Sequence, residues 1–315
     1  MMNHTRLIPI FFLLIFLSFS QHSWGQKKIS KAELNAKTKS GKEDPWADYK
    51  EEKDSINRWA VGINVGAFFP NKYAANFYNG SPGNINNVNY VWNNTYWYRD
   101  IRLALGSPDT LILDKTKSYD TNMHYQVAIT AGVFMRFNIN RKNGIFIEAN
   151  YTQLKATSVV TVLEIKYQEA FQNFLMIPVI GKEERAMLDI GYQRSFPFKS
   201  KICFFVNGGM TMVYTHILKS ALVVEGTEYN LMNIYGNNGY VPNSNSQSFS
   251  VNQYGIGFGG LLGAGFSLPL TDKFGLEPGA SMQFYPANLK GYTAFKPSFS
   301  VYLRILLGFS HSKVT

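Results

Sequence analysis

Eight stretches of this chain alternate apolar residues with small or polar ones at a period of two, and that pattern, more than any motif, limits what the chain can fold into. In residues 59–69, Trp59, Val61, Ile63, Val65, Ala67 and Phe69 interleave with Ala60, Gly62, Asn64, Gly66 and Phe68. Residues 123–138 set Tyr125, Val127, Ile129, Ala131, Val133, Met135 and Phe137 against Gln126, Thr130, Gly132, Arg136 and Asn138. The same reading gives strands over residues 144–156, 185–195, 202–216, 251–268, 274–285 and 298–309. Alternation alone does not say which face is buried, but the composition of the polar face does. A soluble barrel shows water a surface dense in Lys and Glu. Here that face is Gly, Asn, Gln, Ser and Thr with isolated charges, which suits a narrow lumen filled by side chains. The expected fold is all-β: an eight-stranded antiparallel up-and-down transmembrane β-barrel with its apolar face toward lipid. Residues 159–180 either extend the third and fourth strands or form a separate hairpin, and the latter would raise the count to ten.

The segments before the first strand fit an exported chain. Residues 1–25 read as a signal peptide: His4 and Arg6 precede the apolar run 7–19, and Ser23 and Gly25 offer the small residues a signal peptidase reads. That run is too short for a permanent helix, and no later stretch approaches the ~18 consecutive apolar residues such a helix needs. A closed barrel is the other structure that satisfies its own backbone hydrogen bonds in lipid. No cysteine stands directly after the run, which argues against a lipid anchor. Residues 26–58 hold nine Lys/Arg and seven Asp/Glu with few apolar anchors and read as a flexible periplasmic lead. Residues 59–315 form the barrel domain.

Link lengths point the same way. Short links (139–143, 196–201, 269–273) alternate with long ones (70–122, 155–184, 217–250, 286–297), as periplasmic turns alternate with extracellular loops in outer-membrane barrels. An even strand count then leaves both termini in the periplasm. The formal charge of +10 raises nucleic-acid binding, yet the basic residues outside the lead form no stripe. No nucleic-acid partner is expected. The basic excess suits lipid phosphates, so outer-membrane lipids and lipopolysaccharide are the expected neighbours. Cys203 is the single cysteine and has no internal disulfide partner.

Two segments carry a family resemblance. Residues 263–277, GAGFSLPLTDKFGLE, resemble the strand, Pro-containing turn and strand of the small outer-membrane barrels of Bacteroidota, among them the OmpA-like and PorT-like proteins. Residues 302–309, YLRILLGF, resemble the terminal strand that barrel-assembly machinery recognises, although His311 to Thr315 run on past the terminal aromatic. The resemblance implies an outer-membrane barrel assembled by that machinery, with envelope protein partners and an accessory role in type IX secretion.

Candidate functional residues are few. Arg136, Glu148, Asp189, Glu277 and Arg304 fall on the lumen face. A hairpin centred near Lys142 puts Arg136 opposite Glu148, and one centred between Lys290 and Gly291 puts Glu277 opposite Arg304. Such pairs would plug the lumen and set strand register, since an unpaired charge there is costly. Exchange of partners would instead gate water or small ions. His124 is expected to face inward and His216 outward near the extracellular rim, with no serine or carboxylate spaced to complete a triad. No metal-ligand spacing occurs and no cofactor is expected. In the first long loop, Tyr90, Trp92, Tyr96, Trp97 and Tyr98 stand among asparagines and would make a patch that stacks on sugars or binds a protein, form an interfacial girdle, or extend strands above the membrane. Five of the six glycines of residues 255–265 (Gly255, Gly257, Gly259, Gly263 and Gly265) share one parity, as in a strand whose inner face must be small, not as in a phosphate loop. A non-enzymatic structural or interaction component is expected. A small pore or passive transporter is the alternative, and a rim hydrolase of lipid or peptide a more distant one.

Overall fold

The computed structural model describes residues 58–107, 110–114, 118–165, 173–198, 202–232, 253–271 and 274–307. The residues expected to form the signal peptide and the lead up to Asn57, as well as Asn237, Asn238, Gly239, Gly308, Phe309 and His311, lie outside the described residues.

Eight strands close into a ring. In ring order they are β1 (Trp59–Phe69), β4 (Ala128–Asn138), β5 (Asn143–Ile165), β6 (Asn173–Pro197), β7 (Cys203–Val224), β9 (Tyr254–Pro269), β10 (Phe274–Tyr285) and β11 (Lys296–Leu307), each antiparallel to its neighbours. Closure occurs at β1, where Val65 has Ala131 of β4 on one side and Leu303 of β11 on the other. Three further strands lie off the ring: β2 (Thr110–Ile112) and β3 (His124–Tyr125) pair with β5, and β8 (Thr227–Asn230) pairs with β7. No described helix is long and apolar enough to cross a membrane.

Side-chain alternation is oriented as a bilayer demands. Val127, Ile256 and Leu303 are 63%, 42% and 44% exposed on the outer wall, whereas Arg304 and Glu277 are sealed inside. The outer wall is an apolar belt that only lipid can cover favourably. Aromatic rings edge it at the short-turn end, with Trp59 4.9 Å from Phe137 and Phe204 5.6 Å from Phe266. The short turns are closed by side chains: Asn140 Oδ1 accepts from the backbone N–H of Lys142 (2.9 Å) and of Asn143 (2.8 Å).

Of the two readings of residues 159–180, extension of the third and fourth strands is the one adopted: their described part continues β5 and β6, which stay paired from Asn143↔Arg194 to Glu164↔Asn173, so the ring has eight strands. Three expectations need correction. β6 and β7 likewise run well past residues 185–195 and 202–216. The stretch 123–138 is broken, because residues 126–129 face only 153–155 of β5 between the pairs Tyr125↔Ala156 and Thr130↔Thr152. That extra residue inverts the alternation. Tyr125 therefore turns inward and His124 outward, the reverse of a continuous strand. The aromatic loop is also neither strand nor girdle, as described below.

Above the belt β5, β6 and β7 continue as a tall wall, and the first loop folds against it. Helix α1 (Lys72–Ala75), capped by Asn71 Oδ1 on Ala74 N–H at 3.2 Å, leads into a tight helical turn over residues 76–78. Ala74, Ala75, Phe77 and Tyr78 are buried there with Phe68, Leu154, Met187, Val213 and Tyr285 from the barrel's inner face. Helices α2 (Asn89–Trp92) and α3 (Thr95–Ala104) pack Val91 and Ile101 onto Val160, Val162, Ile177, Val179, Leu222 and Val224 of the wall. An extra residue at Leu218, between Glu183↔Ile217 and Lys182↔Lys219, turns Leu222 and Val224 toward those helices.

Candidate functional site

The lumen is occupied in two storeys, each organised around a buried arginine. In the lower one, Arg136 Nη1 lies 2.9 Å from Glu277 Oε1, and Arg304 is ion-paired with Glu148. Arg304 Nη1 also approaches Glu277 Oε2 at 3.9 Å, so two cations and two anions make one chain of contacts across the barrel. Asn64 Nδ2 donates to Glu148 Oε1 (2.5 Å) and to Asn150 Oδ1 (2.9 Å), and Asn150 Nδ2 donates to Glu148 Oε1 (2.7 Å). The Arg304 guanidinium lies against the Phe134 and Tyr302 rings, 4.2 and 4.1 Å from their centroids, an arrangement that recovers part of its lost hydration. Asp189, opposite Glu148 on the ladder, accepts from Gln283 Nε2 at 2.9 Å.

All five lumen residues named from the sequence thus point inward, but one pairing differs. Arg136 stands opposite Phe146, and Glu148 opposite Phe134; the turn is centred on Arg141, one residue earlier than assumed, which slides the register by two positions. Glu277 does stand opposite Arg304, yet each finds its shorter contact with a strand elsewhere in the ring.

The upper storey escaped the sequence reading. Glu183 and Arg185 of β6 are both fully buried, with Arg185 Nη2 2.6 Å and Nε 2.7 Å from Glu183 Oε1. Three tyrosines complete the shell. Tyr78 OH donates to Glu183 Oε2 at 2.5 Å, Tyr125 OH to the same oxygen at 2.9 Å, and Arg185 Nη1 donates to Tyr285 OH at 3.0 Å. Burial, and then the Glu183 carboxylate, push the Tyr78 phenol well above its ordinary range, so it stays protonated and donates. Gly181 leaves room for this: a Cβ there would collide with the Tyr78 ring. A signal was present in the sequence, since Glu183 and Arg185 are an opposite-charge pair two residues apart on the inward parity that also holds Asp189. It was lost because residues 155–184 read as a loop.

The rim histidines do not meet in a shared site. His216 Nδ1 contacts Glu184 Oε1 at 2.9 Å on the outer face, where Tyr151 OH donates to Glu184 Oε2 at 2.7 Å. His124 faces outward opposite Thr157. The aromatic loop residues lie on α2 (Tyr90, Trp92) and α3 (Tyr96, Trp97, Tyr98). Trp92, Trp97 and Tyr98 are half-buried: Trp92 packs 5.5 Å from Tyr98, Trp97 6.1 Å from Tyr229, and Tyr98 OH accepts from Leu111 N–H at 3.0 Å. Tyr90 and Tyr96 remain exposed. Helical spacing splits the set into anchors and surface groups.

No protein-family profile and no curated protein matches this chain. Among solved structures it is similar to Neisserial surface protein A (10% identity, 80% of this chain and 96% of that chain, TM-score 0.35). It is also similar to the outer membrane protein OprG from Pseudomonas aeruginosa (11% identity, 80% and 97%, TM-score 0.33). A third similar structure is Ail, the attachment invasion locus protein of Yersinia pestis, in complex with the heparin analogue sucrose octasulfate (7% identity, 79% and 97%, TM-score 0.31).

Proposed function

We propose that this chain is a non-conducting outer-membrane barrel with a structural or interaction role, holding a folded extracellular surface on a filled cylinder with both termini in the periplasm. The observation that carries this reading is the buried lock in which Tyr78 of the first loop, Tyr125 and Arg185 converge on Glu183. A loop whose tyrosine donates to a fully buried, ion-paired carboxylate of the barrel wall is a rigid platform, because releasing it would take a charge-assisted hydrogen bond from that carboxylate. Together with the lower storey it fills the path a solute would take, which weighs against a small pore or passive transporter. Tyr90, Tyr96 and Leu103 project from the platform as the surface for an envelope protein partner. A secretion-accessory role is the form of this reading that the PorT-like resemblance implies, and it rests on residues 263–277 and 302–309 alone. A rim hydrolase draws no support from two outward histidines on different strands.

Planar-bilayer recording on the purified, folded protein tests the proposal. No discrete channel steps are expected; steady single-channel conductance would overturn it in favour of a pore. Cross-linking in native membranes tests the platform, with partners captured by the intact protein expected to be lost when Tyr96 and Leu103 are both replaced by Ser.

A further inference from the structure

The outer wall departs from its apolar character most sharply at one place on the long-loop side. Lys155, Lys182 and Lys219 stand directly opposite one another on β5, β6 and β7, all facing away from the lumen. Like charges in such a row repel and destabilise a sheet unless an anion sits between them. Lys219 is ion-paired with Glu228, whereas Lys155 and Lys182 make no ion pair among the described residues. Glu184, the outward carboxylate two residues along β6 from Lys182, is already engaged by His216 and Tyr151. The row's depth is set by its neighbours. Residues 145–155 of β5 match the ~9–11 residues with which a tilted strand spans the hydrocarbon. Tyr214 stacks on Tyr254 (6.2 Å) and on the His216 ring (6.4 Å), as rings do at headgroup level.

A second feature adjoins the row. Where the extra residue at 126–129 interrupts the β4 to β5 ladder, the outer wall opens into a groove of about 490 Å³. Val127, Ile129, Ala131 and Tyr151 line it, and Gln153 and Lys155 also border it. Ile129 is 78% exposed, so the groove offers a large unpaired apolar surface within reach of a cation.

We propose that Lys155, Lys182 and this groove form a binding site for a phosphorylated, multiply acylated lipid of the outer leaflet. The phosphate bridges the two lysines, relieving their repulsion, and one acyl chain lies in the groove on Ile129 and Val127. The site rests on the membrane reading of the barrel, but on neither the plug nor any protein partner.

The test uses the full-length folded protein in phosphatidylcholine nanodiscs, with bisphosphorylated lipid A, its dephosphorylated form and inorganic phosphate as probes. Lipid retention is read by native mass spectrometry, and folding by heat-modifiable gel mobility. Intact protein should retain lipid A over the dephosphorylated form, and the double variant Lys155→Gln, Lys182→Gln should bind lipid A roughly tenfold more weakly. Ala131→Phe, which fills the groove and leaves both lysines, should also weaken retention, and millimolar inorganic phosphate should not displace the lipid. Equal retention by a folded double variant would overturn the site, as would unaltered retention by Ala131→Phe or displacement by free phosphate. Insertion into phosphatidylcholine without preference for lipid A would remove this site and leave the barrel reading intact. Failure to insert at all would remove both.

Discussion

A guanidinium sealed in a barrel core survives only if everything around it answers its charge. Arg304 has Glu148 as its ion-pair partner, Glu277 nearby and two aromatic faces against it. Removing one partner of such a set leaves an uncompensated buried charge, which costs more than the pair itself contributes. Glu148→Gln is therefore expected to lower stability by about 3–5 kcal/mol in denaturant titrations of the folded protein in vesicles. The double variant Glu148→Leu, Arg304→Met should lose much less. A second prediction concerns Tyr78. Its hydroxyl donates to a buried carboxylate, so Tyr78→Phe should cost about 1.5–3 kcal/mol in the same titration, as expected for a hydrogen bond to a charged group. The inward placement of Arg136, Glu148, Asp189, Glu277 and Arg304 was legible from parity alone. The partner of Arg136 was not, since a two-position slide of one hairpin preserves parity while changing every neighbour.

At the scale of elements, the first loop and the tall wall are the parts that alternation described least. Alternation places the end of the third strand at residue 156 and the start of the fourth at 185, because beyond those points the outward face turns polar or mixed. The ladder nevertheless continues, since its inner face there packs on α2 and α3 rather than on lumen residues. Two single-residue insertions, at 126–129 and at Leu218, switch parity in mid-strand, and a period-two pattern has no means of announcing them. The plug follows a different logic: Gly181 is the one position on β6 whose missing Cβ admits the Tyr78 ring. Gly181→Ala should push α1 and its following turn out of the mouth. Trypsin added to intact cells should then cut at Lys72 or Arg99 at least several-fold faster than in the unaltered protein.

For the molecule as a whole, the apolar belt predicts where a charge is tolerated. Leu303 lies within the belt beside Val65, and Leu303→Arg should destabilise by about 2–4 kcal/mol in vesicle unfolding titrations. Leu103→Arg, on the water-exposed face of α3, should stay within about 0.5 kcal/mol. Equal effects at the two sites would contradict the membrane orientation of the wall.

Local chemistry by itself determined that this chain makes eight alternating ribbons, which face of each is greasy, and which links are short, because alternation and turn residues act over two to five positions. Only closure of the ring decided which charges meet. Arg136 and Glu277 are 141 residues apart in sequence, and Arg304 and Glu148 are 156 apart, so their contacts depend on the register of every strand between them. The same holds for Tyr78 and Glu183, whose meeting required a loop to fold back into a mouth that exists only once the barrel has formed.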